Sequence, residues 1–95
     1  MDTLKPAKGL VESPLFKKSK DKITQDTRLL DDILEGLTLT IACKPDEFPL
    51  VDDLGTRTAK SKVVNDIPEL TLYFKEYEEQ IVLVDIEITP DEIPF

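Results

Sequence analysis

Lysine and arginine are the side chains of this sequence best suited to chemistry on an anionic substrate. Residues 17–22 contain four lysines, a candidate surface for contact with RNA phosphates: Lys17, Lys18, Lys20 and Lys22. A second basic run contains Arg57, Lys60 and Lys62. The two-residue period of a strand places Lys60 and Lys62 on one side and Arg57 on the other, so at most two of these cations share a site directly. For both runs the alternative is a solvated or edge-protecting charged surface.

The types of residue that are missing narrow the chemistry further. The sequence has no histidine and a single cysteine, Cys43. These absences exclude a histidine-based catalytic triad, a Cys/His zinc site and an intrachain disulfide. Asp31 and Asp32 are adjacent, so they diverge on a helix and do not form a poised pair. Acidic residues 46–53 lack the ligand spacing and central glycine of a calcium loop. We therefore expect neither a metal ion nor another cofactor.

Charge is distributed unevenly along the 95 residues, whose formal net charge is −8. Residues 1–28 contain seven Lys/Arg and four Asp/Glu, whereas residues 29–95 contain five and sixteen. An overall negative field opposes nucleic-acid binding, so a nucleic-acid surface would have to use the N-terminal third. The longest apolar run, residues 81–84, is far shorter than the roughly 18 residues of a membrane span. We expect a cytoplasmic protein without a membrane partner.

Two segments in the first half are typical of helices. The pair Ser13-Pro14 predicts a helix start, with serine as the N-cap and proline at the first helical position, and a short basic amphipathic helix follows. A second helix begins after a cap at Asp26 or Thr27 and ends at residues 44–45. Its apolar residues recur at the spacing of one buried stripe. The stripe consists of Leu30, Ile33, Leu34, Leu37 and Ile41.

From residue 55 the pattern changes to the two-residue alternation of β-strands. Strands are predicted over residues 56–64, 69–75 and 80–88. A short polar turn joins the last two, which indicates an antiparallel hairpin. Near the N-terminus, Leu10 and Val11 are a weaker signal for an edge strand.

This order of elements predicts one α+β domain over residues 1–95, with two N-terminal helices packed on one face of a small twisted antiparallel sheet. Residues 1–9 are expected to be a flexible lead-in, and residues 89–95 an acidic tail. In the last strand Asp85 and Glu87 are expected to face outward. The apolar face of that strand is expected to consist of Val82, Val84, Ile86 and Ile88.

Several stretches of the sequence resemble RelE/ParE-type bacterial toxins. They are residues 12–18 (ESPLFKK), residues 54–62 (LGTRTAKSK), and residues 72–74 and 80–86 (LYF and QIVLVDI). With the leucine-rich helix between them, the likeness covers residues 10–88. In that family an N-terminal element with two helices precedes a twisted antiparallel sheet. The resemblance implies the toxin component of a toxin–antitoxin pair, with a cognate antitoxin as its partner.

The resemblance also implies a reaction, which is metal-independent cleavage of messenger RNA in the ribosomal A site. A ribose 2′-hydroxyl attacks the neighbouring phosphate, which requires a base, an acid for the leaving oxygen and cations for the pentavalent phosphate. Lysine and arginine on a sheet face can supply these functions without histidine. The positions that match the family's pattern are the expected catalytic residues: Lys60, Lys62, Arg57 and Tyr73.

Two departures from the family's pattern leave alternatives open. No arginine precedes Tyr73, where residues 69–72 read Glu-Leu-Thr-Leu, and the last residues of the chain are acidic. Both changes would weaken an RNA-cleaving surface. The first alternative is a non-catalytic protein-interaction module on the same fold, in which Tyr73 is a half-buried sheet aromatic. The second is an acidic mimic of nucleic acid.

Overall fold

The computed structural model describes residues 9–23, 27–63 and 67–89. A short strand comes first, followed by two helices, a 3-10 turn and three further strands. Their bounds are β1 Gly9–Glu12, α1 Pro14–Ile23, α2 Thr27–Cys43, the 3-10 turn Pro45–Glu47, β2 Thr56–Lys60, β3 Leu70–Glu76 and β4 Gln80–Ile88. Most of the expected lead-in and acidic tail, and the candidate cap Asp26, lie outside the described residues.

The four strands form one mixed sheet in the order β1-β4-β3-β2. β2, β3 and β4 are antiparallel neighbours, whereas β1 pairs with β4 in parallel. The α+β class and the edge strand at Leu10 and Val11 are confirmed. The expected helices-first order and purely antiparallel sheet are wrong, because a strand precedes the helices and runs parallel to its neighbour. A four-residue strand carries too little pattern to show its direction, and its partner lies about 70 residues away in sequence.

α1 begins at the cap that the sequence predicts. The Ser13 hydroxyl accepts a hydrogen bond from the backbone N–H of Phe16 at 3.0 Å, which satisfies one of the free amides of the first turn. Pro14 takes the first helical position, where its missing N–H costs nothing. Phe16 is fully buried, and α1 packs on β4.

α2 buries the predicted apolar stripe. Leu30, Leu34 and Ile41 are buried in the core, and Ile33 and Leu37 pack against it partly buried. Both helices therefore contribute to one apolar cluster with the sheet. Within the described ranges, no helix is long and apolar enough to span a membrane.

One side of the sheet faces the helices and is apolar, whereas the other side is polar. On β3, Leu70, Leu72 and Phe74 are fully buried in the core, as the two-residue alternation predicts. Thr71 and Tyr73 lie between them in sequence and so point to the opposite side. The polar side therefore presents side chains of the sheet that are not used in the core.

A β-bulge interrupts the alternation of β4. The register passes from the pair Tyr73–Asp85 to the pair Phe74–Leu83, which leaves Val84 as the extra residue. The core side chains of this strand are Ile81, Leu83 and Ile86. The even-numbered apolar face expected for β4 is therefore wrong before the bulge and holds only after it, because one inserted residue exchanges the two faces of a strand.

Candidate functional site on the outer face of the sheet

The side of the sheet that lies opposite the helices, called the outer face below, carries two rows of polar side chains. Across β2, β3 and β4 these rows are Lys60–Thr71–Glu87 and Thr58–Tyr73–Asp85. Side chains directly opposite each other on neighbouring strands are separated by about 5 Å. Lys60 and Glu87 therefore flank Thr71, and Tyr73 lies in the adjacent row.

An open cleft of about 330 Å³, the outer-face cleft, lies over these rows. It is lined by Val51, Thr58, Lys60, Thr71, Tyr73, Glu87 and Thr89. Its volume falls at the lower end of the range of small-molecule sites, about 300–1,000 Å³. Lys60 is exposed, and among the described residues it forms no ion pair. Its ammonium group is therefore available to an anion from solution.

A short hydrogen bond joins two of the lining side chains. The Tyr73 hydroxyl donates to Glu87 Oε2 at 2.6 Å. This bond, together with partial burial and the negative charges of Glu87 and Asp85, raises the pKa of Tyr73 to about 12. The tyrosine therefore remains a neutral hydrogen-bond donor at physiological pH.

The bulge at Val84 is what brings Glu87 to the outer face. If strict alternation continued from the buried Leu83, Glu87 would face the helices. Ser13 holds the bulge in place, because its backbone N–H donates to the Leu83 carbonyl at 3.0 Å and its Oγ donates to the Val84 carbonyl at 2.8 Å. The same hydroxyl caps α1, so one serine fixes both the helix start and the bulge.

Threonine hydroxyls form the polar floor of the outer-face cleft. Thr71 and Thr89 share a hydrogen bond of 2.7 Å between their Oγ1 atoms. The Oγ1 of Thr58 is buried and has no partner among the described residues, which is uncommon for a buried hydroxyl. These groups can adapt their hydrogen-bond direction to a ligand, since a hydroxyl both donates and accepts.

Arg57, an expected catalytic residue, lies on the other side of the sheet. It pairs with Phe74 on the helix-facing side, and its Nη1 donates to the Phe48 carbonyl. The Phe48 ring in turn contacts Phe74 edge-on, with 5.6 Å between ring centroids. The expected placement of Arg57 and Lys60 on opposite sides is thus found, and the guanidinium group fixes the connection before β2 instead of lining the outer-face cleft.

Lys62 lies beyond the end of β2 and does not line the outer-face cleft. Ser61 bonds to Leu70 twice, through its own amide and through its hydroxyl, each at 3.0 Å. These hydrogen bonds mark the end of the pairing between β2 and β3. The predicted strand over residues 56–64 is therefore too long, because alternation alone does not show where pairing ends.

The lysines of α1 divide into two kinds. Lys17, Lys18 and Lys22 are exposed. Lys20 instead lies between Glu12 Oε2 at 3.3 Å and Asp31 Oδ1 at 3.5 Å. Burial lowers the pKa of Lys20, but the hydrogen bonds and charges of the two carboxylates outweigh burial and raise it. Its charge is already neutralised by protein groups, so Lys20 is a poor RNA contact.

Lys20 lies in a second cleft, the helix-side cleft, of about 310 Å³. It is lined by Leu10, Glu12, Phe16, Lys20, Asp31, Leu34, Glu35, Thr38 and Leu83. Three carboxylates and one lysine surround an apolar floor, which gives this cleft a net negative charge. A phosphate-containing ligand would be repelled there.

No function was predicted from sequence for Glu87 or for the threonines of the outer-face cleft. Alternation does predict that Glu87 faces outward, but it does not show which residue lies beside it. That neighbour depends on the register between β3 and β4, which the bulge sets. The opposition of Lys60, Thr71 and Glu87 is therefore visible only in the assembled sheet.

Among the described residues, no cluster of three or more His, Cys, Asp or Glu side chains is arranged to hold a metal ion. A search of protein-family models found no match for this chain, and a search of curated protein sequences found none either. The described lining of the outer-face cleft supplies one cation, one phenolic hydroxyl and one carboxylate around a floor of threonine hydroxyls.

Proposed function

We propose that this chain is the toxin component of a toxin–antitoxin pair and that its outer-face cleft cleaves messenger RNA on the ribosome. The resemblance of residues 10–88 to RelE/ParE-type toxins supplies the family. The observation that carries the proposal is that Lys60 and Tyr73, two expected catalytic residues, line one open cleft. A cognate antitoxin is the partner that this function requires.

Each of the two residues has a role that its surroundings support. Lys60 forms no ion pair with the described residues, so its ammonium group can bind the phosphate and stabilise the charge that develops on it. Tyr73 lies half-buried in the neighbouring row, where its ring offers a surface on which an unpaired base can stack. Together they would hold a single-stranded phosphodiester across β2 and β3.

A non-catalytic protein-interaction module on the same fold is the second candidate. It is favoured by the environment of Arg57, whose guanidinium group is bound to the Phe48 carbonyl. It is also favoured by Asp85 and Glu87, which add negative charge to the outer face. Lys60, which has no ion-pair partner in the described part of the chain, lies on the same face as these two carboxylates and is a weak attractor for RNA.

Tightly induced expression in a bacterial host distinguishes the two candidates. Growth and the 5′ ends of messenger RNA are followed for the wild-type chain, Lys60→Ala and Lys44→Ala. Lys44 is an exposed lysine next to the end of α2, so it controls for the loss of one positive charge. The wild type and Lys44→Ala should arrest growth and produce new 5′ ends within translated codons. Lys60→Ala should reduce those cuts by about 100-fold, the usual cost of removing one stabilising donor.

Two results would contradict the proposal. Normal growth with soluble wild-type protein would favour the interaction module. Growth arrest without RNA cleavage would indicate a different target, such as gyrase.

A further inference from the structure

The described lining of the outer-face cleft contains one carboxylate, that of Glu87. Threonine hydroxyls are too weakly basic, and a lysine ammonium group has no free electron pair. The Tyr73 hydroxyl, with its pKa at about 12, stays protonated. Glu87 remains, and a carboxylate oxygen has lone pairs that can accept a proton.

The position of Glu87 also suits a proton acceptor. The Tyr73 hydroxyl donates to its Oε2 at 2.6 Å, which fixes the carboxylate in one orientation. Within the described residues its Oε1 has no hydrogen-bond partner. Lys60 lies in the same row on the other side of Thr71, so a phosphate held by Lys60 lies over the same row as the free carboxylate oxygen.

We infer that Glu87 is the catalytic residue that takes the proton from the attacking 2′-hydroxyl, and that Tyr73 is the positioning residue that aims its carboxylate. This inference rests on the proposed function of the outer-face cleft.

The step balances without a metal or an oxidant. The 2′-oxygen forms a bond to phosphorus as its proton passes to Glu87. The bond between phosphorus and the 5′-oxygen breaks, and that oxygen takes a proton from the Lys60 ammonium group. The products are a 2′,3′-cyclic phosphate and a 5′-hydroxyl, and exchange with water restores the charges of both side chains.

The β4 bulge has a functional explanation on this basis. Bulges often re-aim a side chain next to an active site, and here the extra Val84 turns Glu87 from the helix-facing side to the outer face. Ser13 stabilises that arrangement through the carbonyls of Leu83 and Val84. The position of the proton acceptor is thus linked to the start of α1.

A reconstituted bacterial translation reaction with the purified full chain tests the role of Glu87. Glu87→Gln keeps the size of the side chain and removes the base, so messenger cleavage should slow by at least about 100-fold, within the range typical of general-base loss. Glu78→Gln is the matched control, because it makes the same change at another glutamate. Glu78 is exposed in the turn between β3 and β4, and it does not line the cleft. Its variant should cleave within about 2-fold of the wild type.

Binding and chemistry are separated with a messenger that carries a 2′-deoxy nucleotide at the cleaved position. Glu87→Gln should bind it as tightly as the wild type or more tightly, since a negative charge has been removed from the cleft. Tyr73→Phe should slow cleavage by about 10-fold with unchanged binding of this messenger under conditions where the variant is fully folded, which a purely structural role would not produce.

The outcomes distinguish the inference from the function on which it rests. Equal cleavage by the wild type and Glu87→Gln would overturn the role of Glu87 and leave the proposed function standing. No cleavage by the wild type would overturn both. If Glu87→Gln fails to fold, Glu87→Asp decides: a folded variant with slowed cleavage supports the inference, and one with the wild-type rate overturns it.

Discussion

The two clefts of this protein have similar volumes, and each contains one lysine. The helix-side cleft, about 310 Å³, holds Lys20 between Glu12 at 3.3 Å and Asp31 at 3.5 Å. The outer-face cleft, about 330 Å³, holds Lys60, which forms no ion pair with the described residues. The same residue type in cavities of the same size therefore has two different environments.

The difference shows that the partners of a charged group decide what it can do. Lys20 connects three elements, since Glu12 lies in β1, Lys20 in α1 and Asp31 in α2. Its positive charge is balanced by these two carboxylates within the fold. Lys60 forms no ion pair with any residue that the structure describes, so its charge remains available to a ligand. The volumes of the two clefts do not distinguish the paired lysine from the available one.

Ser13→Ala should have the largest effect on stability, because Ser13 both caps α1 and holds the bulge in β4. The variant loses the cap of α1 and the hydrogen bond to the Val84 carbonyl. Together these losses should lower the free energy of unfolding by about 2 kcal/mol. Urea denaturation measures this change, with Ser19→Ala on the same helix as the control, expected within about 0.5 kcal/mol.

The same Ser13→Ala variant also tests whether the outer-face cleft depends on the bulge in β4. If the serine also holds the bulge that aims Glu87, messenger cleavage should fall below that of Ser19→Ala under conditions where both proteins are folded. Unchanged cleavage in a folded Ser13→Ala protein would show that the bulge does not depend on this hydroxyl.

Lys20→Met should have a smaller effect, confined to stability. The pair is partly exposed, with 22% of the Lys20 side chain and 33% of the Glu12 side chain accessible. We expect a loss below about 1 kcal/mol after allowing for solvent screening, and the loss should largely vanish in about 1 M salt. Lys22→Met removes an exposed lysine of the same helix and serves as the control. Equal stabilities of the two variants at low salt would contradict a structural role for Lys20.

The pH dependence of the Lys20 contribution follows from the direction of its shift. The folded state raises the pKa of Lys20 above its ordinary value of 10.5, so the folded protein binds this proton more tightly than the unfolded chain. The stabilisation is therefore complete below that value and is lost as the pH rises through the folded pKa.

The smallest expected effect is spectroscopic and concerns Tyr73. The chain has two tyrosines, so in a Tyr77→Phe background an ultraviolet titration follows Tyr73 alone. Its pKa should be about 12 and should move towards 10.0 when Glu87→Gln is added. Because the folded pKa is raised, this residue's stabilisation is present below pH 10 and is lost towards pH 12. Ionisation near 10 without the second change would contradict the Tyr73–Glu87 hydrogen bond.

Local pattern was sufficient to predict much of this fold. The stripe of α2, the cap at Ser13 and the alternation of β3 each depend on residues close together in sequence, and each is found in the structure. The opposite placement of Lys60 and Arg57 follows from the same two-residue period. These features are set by geometry within one element.

The features that could not be predicted depend on contacts between elements. The parallel pairing of β1 and the bulge at Val84 are decided by distant partners. The same is true of Arg57, whose partner is a backbone carbonyl nine residues away, and of the end of β2 at Ser61. Glu87 could be assigned to a face but not to a neighbour, which is why its role emerges only from the sheet register.

The function proposed for the outer-face cleft requires that RNA bind there and not in the helix-side cleft. Amide chemical shifts of the isotope-labelled full chain would be followed while a short messenger fragment with one 2′-deoxy nucleotide is added. Changes should concentrate at Thr58, Thr71 and Glu87 in the outer-face cleft and leave the helix-side cleft unmoved. Changes centred on Glu12 and Asp31, or no change at saturating RNA, would contradict the account.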